Sequence, residues 1–169
     1  MDNNVILQAF AFQTNYLSLL VDDIADEKMC DQPGGVVNHP AWQLGHLALV
    51  SDRMTKVLGG SSSLDEAWEK KFAPKSIPSP RRADYPTKAE LVRITSERRK
   101  AFADAFAKCN ADDLAKPNPN QRATAFFPTV GHFALFGLLG HENGHLGQLA
   151  CWRKAAGLPE ALSKIQQMK

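Results

Sequence analysis

The sequence predicts an all-α protein, a four-helix bundle of the kind in which a long connection separates the second and third helices. Apolar residues recur about every 3.6 positions in four long segments, and Gly- and Pro-rich stretches separate these segments. An alternating strand pattern occurs only in AFFPTV at residues 125–130. Hydrophobic residues make up 44% of the 169-residue chain. We therefore expect one packed core and a single helical-bundle domain over residues 1–169.

The first two helices are predicted from apolar periodicity and from turn residues. Residues 5–25 form the first helix, and the turn-rich DQPGGVVN at 31–38 follows it. Asn38 is the predicted N-cap of the second helix, and Pro40 suits the first turn, where its missing N–H is not needed. We expect this helix to run to Leu58. The apolar positions of the first helix are Ile6, Phe10, Leu17, Leu20, Val21 and Ile24.

Residues 59–86 form the long connection between the second and third helices. It begins with GGSSS, which stops the second helix, and contains Pro74, Pro78, Pro80 and Pro86. We expect at most one short helix in it, near residues 64–71. A connection of this length is often a functional lid, a partner surface or a mobile segment, and the sequence does not choose among them.

The third and fourth helices are predicted from their end signals. Thr87 and Glu90 have the spacing of a capping box, in which each side chain accepts from the other residue's backbone N–H, and the helix that follows runs to about Lys108. KPNPNQR at 116–122 then breaks the chain. The fourth and longest helix is expected from about Pro128 to Ala156, with Gly157 as a left-handed cap.

Three histidines on the second and fourth helices predict a metal site. His141 and His145, in HENGHLGQL, are one turn apart and differ by about 40° around the helix, so both imidazoles can reach one ion. His46, in NHPAWQLGHLALV, lies on the face of the second helix that should be buried, and is the natural third ligand. Imidazoles buried in an apolar bundle need partners, and a shared metal ion supplies one.

Other residues on the same two faces are candidates for lining the pocket: His39, Trp42, Gln148 and Trp152. His39 lies seven residues from His46, about 10.5 Å along the helix, too far to share an ion whose bonds to nitrogen are about 2.0–2.1 Å. A single inward histidine is more often a hydrogen-bonded core residue than a ligand. We apply this interpretation to His39. A regular helix would place His132 about 180° from His141, so we interpret His132 as a structural or surface residue.

The sequence HENGH also matches the H-E-x-x-H pattern of zinc proteases, with Glu142 as the base. The extended form of that pattern needs Gly at 148 and His at 151, where this chain has Gln148 and Cys151. Glu160, the first carboxylate after His145, lies just past a Gly-Leu-Pro break, and no strand is predicted that could hold a peptide substrate. We therefore reject the protease interpretation.

Two segments, AWQLGHLALV at 41–50 and HENGHLGQLACWRKAAGLP at 141–159, resemble the DinB/YfiT-like superfamily. The resemblance implies a four-helix bundle that binds a divalent metal, often nickel or zinc, through one histidine of the second helix and two of the last. These positions are His46, His141 and His145. Residues 59–86 do not align with the family's pattern, which leaves the shape of the pocket mouth open.

Studied members of that superfamily are thiol-dependent enzymes, including bacillithiol S-transferases and a mycothiol-dependent maleylpyruvate isomerase. The leading hypothesis is therefore a metal-dependent thiol S-transferase that joins a low-molecular-weight thiol to an electrophile. An alternative is a hydrolase that activates water at the metal, with His39 as a possible pocket base. A third hypothesis is a non-enzymatic binding or stress-response module in which the metal is structural or absent.

Composition limits the partners and the location. The net charge is +2, and the longest basic run is Arg98-Arg99-Lys100 on a predicted helix, so nucleic acid is not an expected partner. No apolar run approaches the roughly 18 residues of a membrane span, and the polar start does not resemble a secretory signal, so we expect a cytoplasmic protein. Three cysteines without C-x-x-C spacing indicate reduced thiols. The resemblance also implies a homodimer.

Overall fold

The computed structural model describes residues 3–165, and every regular element in that range is helical. The all-α fold class is thus confirmed, and residues 125–130 contribute only an isolated bridge between Pro117 and Thr129. In residues 3–165, no helix combines the length and apolarity needed to cross a membrane. The helices are α1 (Asn3–Val21), α2 (Pro40–Val57), α3 (Glu66–Phe72), α4 (Lys88–Ala107), α5 (Ala111–Ala115), α6 (Val130–Leu135), α7 (Glu142–Ala155) and α8 (Leu162–Ile165).

Helix α1 ends at Val21, four residues earlier than predicted, although Ile24 beyond it is still buried. Carboxylates are unfavourable at the negative end of a helix, and Asp22 and Asp23 stand there. Asp23 is instead hydrogen-bonded to Arg153, which holds the pKa of its carboxyl well below the usual range. The pairing joins the end of α1 to the end of α7.

Helix α2 lies at the centre of the bundle, with most of its residues buried against α3, α4 and α7. Pro40 occupies the first position as predicted, but the prediction of Asn38 as N-cap was wrong. His39 caps the helix, its Nδ1 accepting from the Trp42 amide at 3.2 Å. The Asn38 side chain donates to Gln148 instead. At the other end Gly59 takes a φ of 85°, the left-handed conformation that ends the helix there.

The connection of residues 59–86 is packed onto the bundle. The short helix predicted in it is confirmed as α3, capped by Asp65, whose side chain accepts from the Trp68 amide. The indole of Trp68 donates to the carbonyl of Gly45 on α2 at 3.0 Å. The buried carboxylate of Asp52, also on α2, accepts from the backbone N–H of Ser63. Both contacts fix the connection against α2.

Helix α4 starts at the predicted cap, where Thr87 accepts from the Glu90 amide. The short helix α5 that follows α4 was not predicted. The last long helical segment runs from Val130 to Ala155, and Gly157, with a φ of 73°, ends it as predicted.

This last segment is not a regular α-helix, because Phe136–His141 form a π-helical turn between α6 and α7. At Gly137 in this turn an added Cβ would lie 3.2 Å from side-chain atoms of Met54 and Phe102, so the turn packs tightly against α2 and α4. The 180° separation of His132 and His141 assumed a regular helix and does not apply across the π turn. His132 is exposed, which agrees with its interpretation as a surface residue and not with a core histidine.

A buried ion pair joins α4 to the start of α7. The guanidinium of Arg99 donates to the carboxylate of Glu142, and both side chains are almost completely buried. Arg99 also donates to Thr14 on α1 at 2.7 Å and lies over the ring of Phe10, 4.4 Å from its centroid. The Arg99 side chain therefore connects α4 to α1 and to the start of α7, where Glu142 follows His141.

Replacing Arg99 with Met leaves the Glu142 carboxylate buried without its cation, so the free energy of unfolding should fall by about 3–5 kcal/mol. The double variant Arg99→Met/Glu142→Leu removes both charges and should recover most of that loss. Urea unfolding of the metal-free proteins measures both. Arg93→Met is the matched control, because the exposed Arg93–Glu97 pair of α4 should contribute less than about 1 kcal/mol. A loss below about 1 kcal/mol for Arg99→Met would contradict the prediction.

Candidate metal centre

The structure brings together the three histidines that the sequence singled out. His46 comes from the middle of α2, His141 from the end of the π turn and His145 from the first turn of α7. One ring nitrogen from each lies within 4.8 Å of the others. Nε2 of His46 and Nε2 of His141 are 3.2 Å apart. Two nitrogens bound to one tetrahedral zinc ion would lie about 3.3 Å apart, so this spacing suits a shared metal.

Hydrogen bonds inside the chain orient two of the three rings. Nδ1 of His46 lies 2.7 Å from the carbonyl oxygen of Phe72, and Nδ1 of His145 lies 3.1 Å from the side-chain oxygen of Gln43. Since both oxygens can only accept, each histidine carries its proton on Nδ1 and leaves the Nε2 lone pair free. Metal-binding histidines in proteins are usually held in this way.

His141 differs from the other two ligands. Its Nδ1 is buried and has no hydrogen-bond partner among residues 3–165. His141 as a residue is partly exposed, whereas only 3% of His46 and 8% of His145 are exposed. The ring of Phe136 meets it edge-on, with centroids 5.9 Å apart. The cluster is therefore closest to solvent on the side of His141 and Phe136.

All three imidazoles are neutral at physiological pH. Burial lowers the pKa of each, and for His141 and His145 the neighbouring histidines lower it further, to about 4 and about 3. A metal ion binds the lone pair of a neutral imidazole, so no proton has to be displaced at pH 7.

Of the four candidate pocket residues, Trp42 is in contact with the cluster. Its ring stacks on His46, with centroids 4.7 Å apart and planes at 10°, and its indole N–H donates to Ser76. Gln148 is exposed and accepts from Asn38, so it lies at the surface. Trp152 is buried in the core seven residues after His145, about 10 Å along the helix, and donates to the Asp31 carbonyl.

His39 is buried, and both of its ring nitrogens are hydrogen-bonded within the chain. Nδ1 caps α2, and Nε2 donates to the carbonyl of Ser79 at 2.9 Å. The ring also packs edge-on against Tyr85. This arrangement agrees with the interpretation of His39 as a core residue and leaves it no nitrogen for acid–base chemistry.

Sequence reasoning missed two residues that support the centre. Gln43 offered a signal, because it is a polar side chain within the apolar run that leads to His46, one turn before it. Phe72 offered none, since it acts through its backbone carbonyl. Its position depends on Gly45, where an added Cβ would lie 2.1 Å from the Phe72 ring. Only glycine at 45 allows α3 to pack this closely on α2.

The low pKa values of the histidines predict that acid destabilises the metal-free protein. Between pH 6.5 and about 4, the unfolded chain binds protons at His141 and His145 that the folded chain does not, so the free energy of unfolding falls as the pH falls. The expected slope is about 1.4 kcal/mol per pH unit for each histidine. Urea unfolding at several pH values measures it. His141→Ala should show a shallower slope than the parent protein, and equal slopes in the two proteins would refute the prediction.

Comparison with protein-family models matches residues 9–149 to the DinB superfamily. The matched range covers most of the chain and includes His46, His141 and His145 together with Gln43 and Phe72. A comparison with curated proteins found no match. With the all-helical fold and the three-histidine cluster, the match over this range shows that the chain belongs to the DinB superfamily.

Proposed function

We propose that this protein is a metal-dependent enzyme that transfers a low-molecular-weight thiol to a small electrophile. The observation that carries the proposal is the cluster of three neutral imidazoles that converge within 4.8 Å. His46, His141 and His145 would hold the ion. Imidazole ligands suit nickel or zinc, whereas magnesium and calcium prefer oxygen. A bound ion would act as a Lewis acid and lower the pKa of a thiol or water that binds it.

The number of ligands favours catalysis over a structural metal. Structural zinc sites normally have four protein ligands, and catalytic sites have three. In the part of the chain that the structure describes, no cysteine or carboxylate joins the three histidines as a fourth ligand. This observation also counts against a non-enzymatic module built around a closed metal site.

The surroundings favour a thiol over water as the reacting group. Hydrolysis would be helped by a positioned base, but His39 uses both ring nitrogens and Glu142 is paired with Arg99. A thiol has an ordinary pKa of about 8.5 and loses its proton far more easily than water does. Metal-dependent hydrolysis therefore remains the second candidate.

The thiol would come from a small molecule and not from the chain. Cys30, Cys109 and Cys151 all lie outside the histidine group. Burial raises the pKa of the Cys30 thiol to about 11, so this side chain stays protonated.

Homodimer formation, a single domain and a cytoplasmic location stay predictions. Light scattering at micromolar concentration tests whether the protein is a homodimer.

Single substitutions of the ligands test the metal site. His46→Ala, His141→Ala and His145→Ala should each abolish stoichiometric metal binding and keep most of the helix content, since each removes one bond of a three-residue site. Metal analysis and circular dichroism of protein purified without an affinity tag measure the two properties. His132→Ala should bind metal like the parent, because this side chain is exposed and bonded to Thr129. Metal loss in His132→Ala together with retention in His46→Ala would refute the site.

An assay with 1-chloro-2,4-dinitrobenzene and a panel of cellular thiols tests the transferase reaction. In this reaction a carbon–sulfur bond forms and the carbon–chlorine bond breaks, with chloride and the thiol proton released to solvent. Metal-loaded protein should accelerate conjugation with at least one thiol, and the His46→Ala variant should not. If loaded protein forms no conjugate with any thiol but hydrolyses esters or amides, the hydrolase is the better assignment.

A further inference from the structure

Four phenylalanines form a continuous aromatic patch beside the metal centre. Phe127 stacks on Phe136 with centroids 4.6 Å apart and contacts Phe133 at 5.8 Å. Phe126 adjoins Phe127 at 6.5 Å and is 79% exposed, and Phe136 is 37% exposed. Large apolar side chains exposed together, and not singly, often mark a binding surface.

The loop that presents this patch is fixed to the body of the protein. Asn118 is buried, and its side chain donates to the carbonyl of Phe127 at 2.8 Å. Its backbone N–H donates to Pro128, and Val130 donates back to Lys116. These hydrogen bonds hold the backbone at residues 127–130 against residues 116–118, so the exposure of the rings does not come from an unanchored loop.

The patch is continuous with the exposed side of the histidine cluster. Phe136 and His141 are the first and last residues of the π turn, and their rings are in edge-on contact. His141 is the one ligand of the three that is partly exposed. A molecule that reaches the cluster from this side passes along Phe136, and π-helical turns of this kind occur frequently at functional sites.

We propose that the patch, Phe126, Phe127, Phe133 and Phe136, binds the aromatic ring of a small-molecule substrate. The four side chains together expose about 400 Å² at most, taking about 200 Å² for one phenylalanine. That is about half of the roughly 800 Å² that each partner buries in a standard protein interface. The area suits a ring system of one or two rings, and all four side chains are uncharged.

The aromatic site also indicates which class of electrophile the protein would use, and this part rests on the proposed function. A ring stacked on Phe136 lies next to the imidazole of His141, so a reactive substituent on that ring would lie beside the histidine cluster. The electrophile would then be an aromatic or benzylic compound. Binding of the ring itself depends on the phenylalanines and can be measured without metal or thiol.

The test compares 2-naphthalenemethanol with its fully saturated analogue, which has the same hydroxyl group and a similar size but no π face. Each is titrated into the metal-free protein, and binding is followed by NMR. We expect the aromatic alcohol to bind about 3- to 10-fold more tightly. Phe126→Leu and Phe136→Leu should each weaken it by a similar factor. Phe12→Leu is the matched control, since Phe12 is 52% exposed on α1 and stacks on Tyr16.

Equal affinity for the two alcohols, or an equal loss in Phe12→Leu, would overturn the proposal. So would a parent protein that is dimeric and binds neither alcohol, with Phe126→Leu monomeric, because the patch would then be an interface. Phe126 is mostly exposed, so its variant is expected to fold even if Phe136→Leu does not. If the protein binds the aromatic alcohol but transfers no thiol, the proposed function fails and the aromatic site stands. If it transfers a thiol but shows no preference for the aromatic alcohol, only the aromatic site fails.

Discussion

The close packing of Phe72 on Gly45 is the contact on which the arrangement of the histidine cluster depends. It brings the end of α3 so near to α2 that the Phe72 carbonyl accepts from Nδ1 of His46. That hydrogen bond fixes the proton on Nδ1 and turns Nε2 toward His141. Trp42 stacks on a face of the same imidazole. The connection of residues 59–86 lies within the range matched to the family, although the sequence patterns alone did not align it, and it contributes directly to the centre.

The letters H-E-x-x-H describe two separate tasks in this protein. His141 and His145 face α2 and form the cluster, while Glu142 between them points to Arg99 and takes part in a buried ion pair. A carboxylate held by a buried guanidinium is not free to act as the base of a protease. The Arg99–Glu142 pair joins α7 to α4 at the residue that follows His141. The glutamate of the H-E-x-x-H match therefore has a structural role in this protein.

The sequence was sufficient to predict the fold class, the long helices and the His141/His145 pair, because each depends on local periodicity or on helical spacing. His46 depends on how α2 packs against α7, which no local spacing determines, and its prediction rested on its buried face and on the family resemblance. The π turn at Phe136–His141 could not be predicted, since it accompanies tight packing of Gly137 against Met54 and Phe102, far away in the chain. The contribution of Phe72 is made by a backbone atom, which leaves no trace in residue identity. The prediction placed Asn38 at the start of α2, whereas His39 is the observed cap. An imidazole nitrogen can also accept a hydrogen bond from the free N–H groups at a helix start.

The centre is unequal on its two sides. His46 and His145 are buried and held by acceptors from the chain, so their orientation does not depend on a metal ion. In the part of the chain that the structure describes, His141 has no such acceptor for its buried Nδ1, and it is partly exposed next to Phe136. A buried polar atom without a partner costs free energy, and coordination through Nε2 would add a favourable interaction to the same ring. The inner side of the centre is therefore held rigidly, and the outer side, where the π turn meets the aromatic patch, is where the proposed substrate would approach.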